Sequence, residues 1–195
     1  MQKERTLIFK FFGHLHTINK HRWYVFCNCC RAGIPWRGLI HDLSKYSPTE
    51  FWEGVKYYSG DRSPVLNCKD INGVSFAWLH HKSLNKHHWE YWLDSFDNGE
   101  GPNHPRGIEM PYQYAVEMIC DFIAAGQAYM GKKNWSPQAE WDWWINVRRD
   151  HCIMYPRTKQ FIENILWHMT LVDDYRDVLT PCILRDYYHQ INLTK

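Results

Sequence analysis

No stretch of the 195-residue chain approaches the roughly 18 uninterrupted apolar residues that a membrane span needs. The opening MQKERTLIFKFFGHLH is too short and too aromatic in its apolar run for a secretory signal, so the expected compartment is the cytoplasm. Excess charge of either sign is also missing. With 23 basic against 21 acidic side chains the formal charge is +2. No global field therefore recruits a nucleic-acid polymer or an anionic membrane, and any anion must be caught locally. Runs of β-branched residues bounded by turn signals, internal repeats and low-complexity segments are absent. The seven cysteines are an odd number, scattered as Cys27, Cys29, Cys30, Cys68, Cys120, Cys152 and Cys182, which argues against a disulfide framework. Cys27, Cys29 and Cys30 lack both the C-x-x-C spacing and the partner pair of a zinc site, and read as small core or groove fillers.

What is present is enough to fold. Hydrophobic residues at 45% and charged residues at 23% match globular averages, and the length suits a single domain. Apolar residues recur at helical spacing nearly everywhere, which predicts an all-α bundle of seven or eight helices. A first helix should run from Thr6 to Arg31 and stop at Gly33, with a short second one over Trp36 to Leu43. Ser47-Pro48-Thr49-Glu50 is a capping box with proline at the first helical position, opening a third helix that ends near Gly60. Asp61 to Gly73 reads as a loop, Val74 to Lys82 and Lys86 to Leu93 as helical pieces, and Asp97 to Arg106 as a polar connector. Further helices are expected over Tyr112 to Met130, Ser136 to Arg149 and Thr158 to Asp177, with a tail helix after Pro181. The metal-site core would span about 6–131 and a helical extension about 136–195.

Two residue types are over-represented: 11 tryptophans and 12 histidines. The tryptophans recur along the whole chain and read as aromatic core, with Trp36, Trp78 or Trp89 available to stack a base. Trp141, Trp143 and Trp144 look like packing and could equally make a homodimer face. The histidines fall into a pattern. His21 lies on the long first helix, His41-Asp42 follows an apolar approach, and His80, His81, His87 and His88 cluster downstream. Asp121 interrupts the apolar run Met118 to Ala125, where an unpaired carboxylate facing a core is costly. A metal ion would relieve that cost.

The order H, then HD, then histidines, then D resembles the HD-domain superfamily of metal-dependent phosphohydrolases. The resemblance implies His21, His41, Asp42 and Asp121 as ligands of one divalent ion, with extra histidines holding a second. The runs FGHLHTINKHRW, GLIHDLSKYSPTEF and WLHHKSLNKHHWEYW also resemble an uncharacterised bacterial and phage family. Some of its members carry a catalase label, although this chain is short for a haem catalase and shows no tyrosine or cysteine haem-ligand motif.

Spacing constrains the remaining histidines. His80 and His87, like His81 and His88, stand seven apart, about 10.5 Å along an unbroken helix, which is too far for one ion. The helix must therefore break at Ser83 to Asn85. His81 and His88 are the preferred ligands of a second ion about 3.5–4 Å from the first, with His80 and His87 contacting phosphate or supporting the ligands. The same spacing keeps His14 and His21 from sharing an ion, so His14 reads as a substrate contact or a structural histidine. Lys45, Arg22, Arg37 and Lys86 are candidate phosphate contacts. Glu117, one turn before Asp121, could orient a ligand histidine.

Asp42 and Lys45 are the expected catalytic pair of a phosphoester hydrolase. The substrate would be a small phosphorylated molecule, a nucleotide or cyclic nucleotide by the resemblance. HD-x-x-K also resembles the diiron oxygenase branch of the same superfamily, whose substrates are small polyols or phosphonates. A metal-stabilised binding module without catalysis is a third reading. The expected cofactor is one or two divalent ions among Mn, Fe, Zn, Ni and Co, since imidazole and carboxylate suit all of them.

Overall fold

A computed structural model describes residues 6–96, 104–131 and 133–193. Among these are nine α-helices and one two-stranded ribbon, so the class is all-α with at least one helix more than expected. Helix α1, Leu7–Arg31, begins where Thr6 accepts a hydrogen bond from the Phe9 N–H at 3.3 Å. It ends at Ala32, and Gly33 at φ 74° turns the chain into α2, Pro35–Ile40. Helix α2 is shorter than expected because His41 is extended (φ −52°, ψ 131°) and Asp42 is left-handed (φ 54°). A 3₁₀ turn over Leu43–Tyr46 leads to α3, Pro48–Tyr57, capped by the Ser47 hydroxyl and ending before Gly60.

The segment expected as a loop over 61–73 holds α4, Pro64–Asn72. Its signals were a proline at the first helical position and a glycine, Gly73 at φ 74°, at the stop. Helix α5, Phe76–Leu84, ends at the break that the histidine spacing demands. After it comes only a 3₁₀ turn, Trp89–Trp92, and then β1, Leu93–Phe96, paired antiparallel with β2, His104–Gly107. This ribbon replaces the plain connector; residues 97–103 of that connector lie outside the described residues. Helix α6 spans Tyr112–Met130 as expected. Helix α7, Pro137–Trp143, loosens into a π turn over Trp144–Arg148 and a 3₁₀ turn over Arg149–His151, where one continuous helix was expected. Helix α8, Pro156–Thr170, starts at the proline expected to separate elements and stops short of Asp177; α9 is Pro181–Leu193.

Helix α6 is the centre of the fold. Ala115, Val116, Ile119, Ile123 and Ala124 on it are fully buried, packed with Val25 and Cys29 of α1, Phe161 and Ile165 of α8, and Leu184 of α9. Each large apolar side chain contributes about 1.5–3 kcal/mol by its burial. Trp144 is part of this core, and Cys29 and Cys120 fill it; Cys30 is exposed instead. A smaller cluster, Ile18, Phe51 and Val55, joins α1 to α3. Gly38 lets α2 lie directly on α1, since a Cβ there would meet the Cys29 Cβ at 2.7 Å and the Phe26 Cα at 2.9 Å. The end of α2 is thereby brought to the seam between α1 and α6, while α5 packs on α3. Among the described residues no helix is long and apolar enough to cross a membrane.

Candidate metal centre

Four segments deliver side chains to that seam. Helix α1 presents His21 toward α6, on the same face as Val25 and Asn28, and Asn28 donates to the Cys120 carbonyl at 3.3 Å. From α6, Asp121 brings Oδ1 to 3.1 Å from His21 Nε2. The turn after α2 supplies His41 and Asp42. His41 Nε2 lies 3.3 Å from His21 Nε2, 3.3 Å from Asp42 Oδ2 and 3.8 Å from Asp121 Oδ1. Asp42 Oδ2 is 3.6 Å from His21 Nε2. Donors about 2.1 Å from one ion lie roughly 3.0–3.4 Å apart in octahedral or tetrahedral geometry. The His21, His41 and Asp121 donors lie 3.1–3.8 Å apart, and Asp42 Oδ2 lies 3.3–3.6 Å from the two imidazoles, close to that range.

The second group forms around the other oxygen of Asp42. Oδ1 lies 3.2 Å from His81 Nε2 and 3.4 Å from His87 Nε2, and His88 completes the set. Asp121 again uses its second oxygen, with Oδ2 3.7 Å from His87 Nε2. The break after α5 lets His81, His87 and His88 converge; the ring centroids of His81 and His88 are 4.8 Å apart and those of His87 and His88 4.2 Å. Asp42 Oδ1 and the Nε2 atoms of His81, His87 and His88 are all buried without a hydrogen-bond partner. Such orphaned atoms are rare in a folded core. A cation among them would satisfy all four at once, so the residues present fit a metal ion.

Asp42 is the one non-glycine described residue with positive φ. Aspartate tolerates this conformation better than most residues, but the strain persists only where surroundings impose it. Arg22 supplies part of that constraint. Its guanidinium donates to the carbonyls of His41 at 2.8 Å and Leu39 at 2.9 Å and to the Tyr46 hydroxyl at 3.1 Å. Arg22, expected as a phosphate contact, therefore pins the His41 turn.

Two carboxylates stand behind the histidines. Glu117 accepts from His41 Nδ1 at 3.0 Å, lies 3.3 Å from His87 Nδ1, and takes the Arg37 guanidinium on its other oxygen at 2.7 Å. Arg37, also expected as a phosphate contact, is thus placed against Glu117 and over the Tyr114 ring. Glu50 accepts from His81 Nδ1 and His80 Nδ1, both at 2.7 Å. By sequence Glu50 belongs to a capping box with Ser47. Only half of that box forms: Ser47 accepts from the Glu50 N–H at 3.4 Å, while the Glu50 carboxylate turns inward. Its role is set by the fold, which lays the two adjacent histidines of α5 against α3.

The electrostatics follow from this clustering. Burial opposes a charge on His41, yet Asp42, Glu117 and Asp121 together raise its pKa to about 10. His81 is also raised, against burial, chiefly by Asp42. His87 and His88 are pushed down, first by burial and then by neighbouring imidazoles. Asp42 and Asp121 are held well below the ordinary carboxylate range by these histidines, and for Asp42 by Lys45 as well, despite burial. Glu117 is lowered to about 2 by His41 and His87, again against burial. The seam is a buried patch of negative potential that a cation, proton or metal, must answer.

A cleft of about 370 Å³ opens onto the second group through His81 and His88, with Lys45, Glu50 and His14 also on its wall. Lys45 Nζ stands 3.2 Å from Asp42 Oδ2. His14 is held at a pKa of about 4 by burial and by Lys45, and it packs against Phe51 and Tyr58, away from both ion groups. His87, expected as a supporting residue, lies among the converging donor atoms. His80 faces Glu50 and is partly exposed. Lys86 lies over the rings of Tyr91 and Tyr114 and does not line the cleft. Of the three candidate stacking tryptophans Trp78 lines the cleft, Trp36 is exposed and Trp89 is buried.

No curated protein and no solved structure significantly matches the chain. A model of a family of unknown function (DUF5662) matches residues 10–168, which include every residue of both ion groups. The chain therefore belongs to the DUF5662 family.

Proposed function

We propose that the chain is a metal-dependent phosphohydrolase that cleaves an ester of a small phosphorylated molecule. One observation carries the reading: the two carboxylate oxygens of Asp42 face different sets of imidazoles, Oδ2 toward His21 and His41, Oδ1 toward His81 and His87. The histidines of both sets would hold two ions with Asp42 shared between them, and Asp121 is divided between the sets in the same way. The order of these residues along the chain, resembling the HD-domain superfamily, points the same way.

Divalent ions in a paired site supply a water nucleophile at neutral pH and neutralise charge on phosphoryl oxygens. The chain's own residues do the rest. Glu117 and Glu50 each take an Nδ1–H and so leave Nε2 of His41 and His81 free to bind. Asp42, with Tyr129 and Asp121 behind it, keeps the partly buried Lys45 ammonium charged, so it serves as a fixed cation for a phosphoryl oxygen rather than as a base. Its place on the cleft wall beside His81 and His88 suits that task.

Elemental analysis of protein purified without oxygen, followed by a screen of phosphomonoesters and phosphodiesters, tests the reading. Bound metal, phosphate release under anaerobic conditions and loss of both in His41→Ala and Asp42→Ala are expected. Equal release by wild type and both variants would overturn it, as would oxygen consumption in place of phosphate release.

A further inference from the structure

Of the cations lining the cleft among the described residues, Lys45 and Arg148 pair with carboxylates and Lys69 does not. Among the described residues, six formally charged side chains besides histidine line it: Glu50, Glu53, Glu90, Lys45, Lys69 and Arg148. Each of the three acids has at least one partner. Glu50 holds His80 and His81; Glu53 accepts from the Ser75 hydroxyl and from the Phe76 and Ala77 N–H groups at the start of α5. Glu90 pairs with Arg148 at 3.2 Å through Oε1, leaving its Oε2 buried without a hydrogen-bond partner. Lys45 is paired with Asp42. Lys69 is half-buried and, among the described residues, has no carboxylate within 4.0 Å. Its ammonium lies over the Trp78 ring, 5.1 Å from the centroid. Burial, with Lys82 and Arg148 adding to it against Glu90, pushes Lys69 below the ordinary lysine range, as suits an ammonium short of anionic partners.

Trp78 ties this position to the metal centre. Its ring meets His88 edge-on at 5.0 Å between centroids and stacks on His81 at 5.8 Å. The Lys69 ammonium is therefore no more than about 10 Å from the His88 ring. Much of the remaining wall is apolar, including Val65, Leu66, Phe122 and Trp143. A half-buried unpaired cation across a partly apolar cleft from a metal centre is complementary to a ligand with two anionic ends.

We infer that Lys69, flanked by Arg148, is a second anion-binding position, and that the ligand is a phosphoester with a ring-sized apolar body and a second anionic group, carboxylate or phosphate. The inference rests on the phosphoester reading of the metal centre and adds the chemistry of the substrate's far end. Non-hydrolysable probes test it: benzylphosphonate, 4-carboxybenzylphosphonate and the corresponding bisphosphonate, titrated calorimetrically into manganese-supplemented protein. At least one doubly anionic probe should bind about tenfold more tightly than benzylphosphonate. Which of the two does so identifies the second anion. Lys69→Met should bring that ratio to within about twofold while leaving benzylphosphonate binding unchanged, and Lys69→Arg should retain the preference. A preference that persists in Lys69→Met overturns the inference, as does tight benzylphosphonate binding with no gain for either doubly anionic probe. A fall in melting temperature in Lys69→Met with no change in the ratio also overturns it, because Lys69 would then serve only Glu90. Failure of every phosphonate to bind overturns the phosphoester site itself.

Discussion

His41 Nδ1 stands 3.0 Å from the Glu117 carboxylate, and that contact decides which nitrogen of His41 faces His21, Asp42 and Asp121. Glu117 is fully buried and carries Arg37 on its other oxygen at 2.7 Å. Glu117→Gln keeps an acceptor for His41 but weakens the hold on Arg37, and should lower metal affinity about 10–100-fold. Glu117→Ala leaves both Arg37 and His41 without their partner and should also destabilise the fold by about 3–5 kcal/mol. Metal titration of the two variants, read beside urea unfolding, separates the effects. Unchanged affinity in Glu117→Gln would show that Glu117 does not position His41.

Metal binding should expel protons. In the metal-free chain His41 has a pKa of about 10, so at pH 7 it carries a proton that a metal ion must displace from the same nitrogen. The sign follows from the raised value. Relative to the unfolded value of 6.5, this group's contribution to stability is fully present below pH 6.5 and lost as pH rises through about 10. Metal-free protein should therefore lose melting temperature across that window, whereas metal-loaded protein should lose less. Calorimetry of metal binding at pH 7 in two buffers of different ionisation enthalpy should show net proton release; an enthalpy independent of buffer would contradict it.

How far the sequence reached depended on which constraints are local. The long helices α1 and α6 are legible because their apolar periodicity and the glycines that follow them, Gly33 and Gly131, are local signals, as is Pro111 before α6. The break after α5 was legible from coordination geometry alone: seven residues of helix hold two histidines too far apart, and the helix ends at Leu84. Helix α4 was missed because Ser63-Pro64 and Gly73 were counted as loop residues instead of as a start and a stop. The roles of Arg22, Arg37 and Glu50 were illegible for a different reason. Their partners, the Leu39 and His41 carbonyls, Glu117, and His80 with His81, are set by tertiary packing that no spacing along the chain encodes. Choosing among His80, His81, His87 and His88 likewise required the path of the chain after Asn85.

Glu140 should make stability fall as pH rises through mildly acidic values. Burial, with a smaller push from Asp121, raises its pKa to about 7, against the opposing hydrogen bond from Trp135 at 2.7 Å. The unfolded chain ionises Glu140 near pH 4.5 while the folded chain keeps it protonated, so folding is disfavoured progressively from about pH 4.5 to 7 and by a constant amount above that. The full effect is up to about 3 kcal/mol, taking about 1.4 kcal/mol per pKa unit. Glu140→Gln keeps an acceptor for the Trp135 indole and cannot ionise. Its unfolding free energy should match wild type at pH 4 and exceed it at pH 8. Equal stability at pH 8 would mean that the folded protein accommodates the charge.

Gly54 is the position where the cleft wall leaves no room for a side chain. A Cβ there would fall inside the imidazole of His14, which α1 presses against α3. His14 is buried and its Nδ1 has no hydrogen-bond partner, so it is held by packing against Phe51 and Tyr58 rather than by polar contacts. Gly54→Ala must displace the ring or separate the helices, at a cost of about 1–3 kcal/mol of the kind seen when a packed core is overfilled. Removing the ring should relieve the clash. In the double variant His14→Ala with Gly54→Ala, the alanine at 54 should cost much less than it does alone, a coupling that a double-mutant cycle by urea unfolding measures directly. Metal content should be the same in all four proteins, because His14 stands apart from both ion groups. Additive costs would place His14 elsewhere than on Gly54, and loss of metal in His14→Ala would tie it to the centre after all.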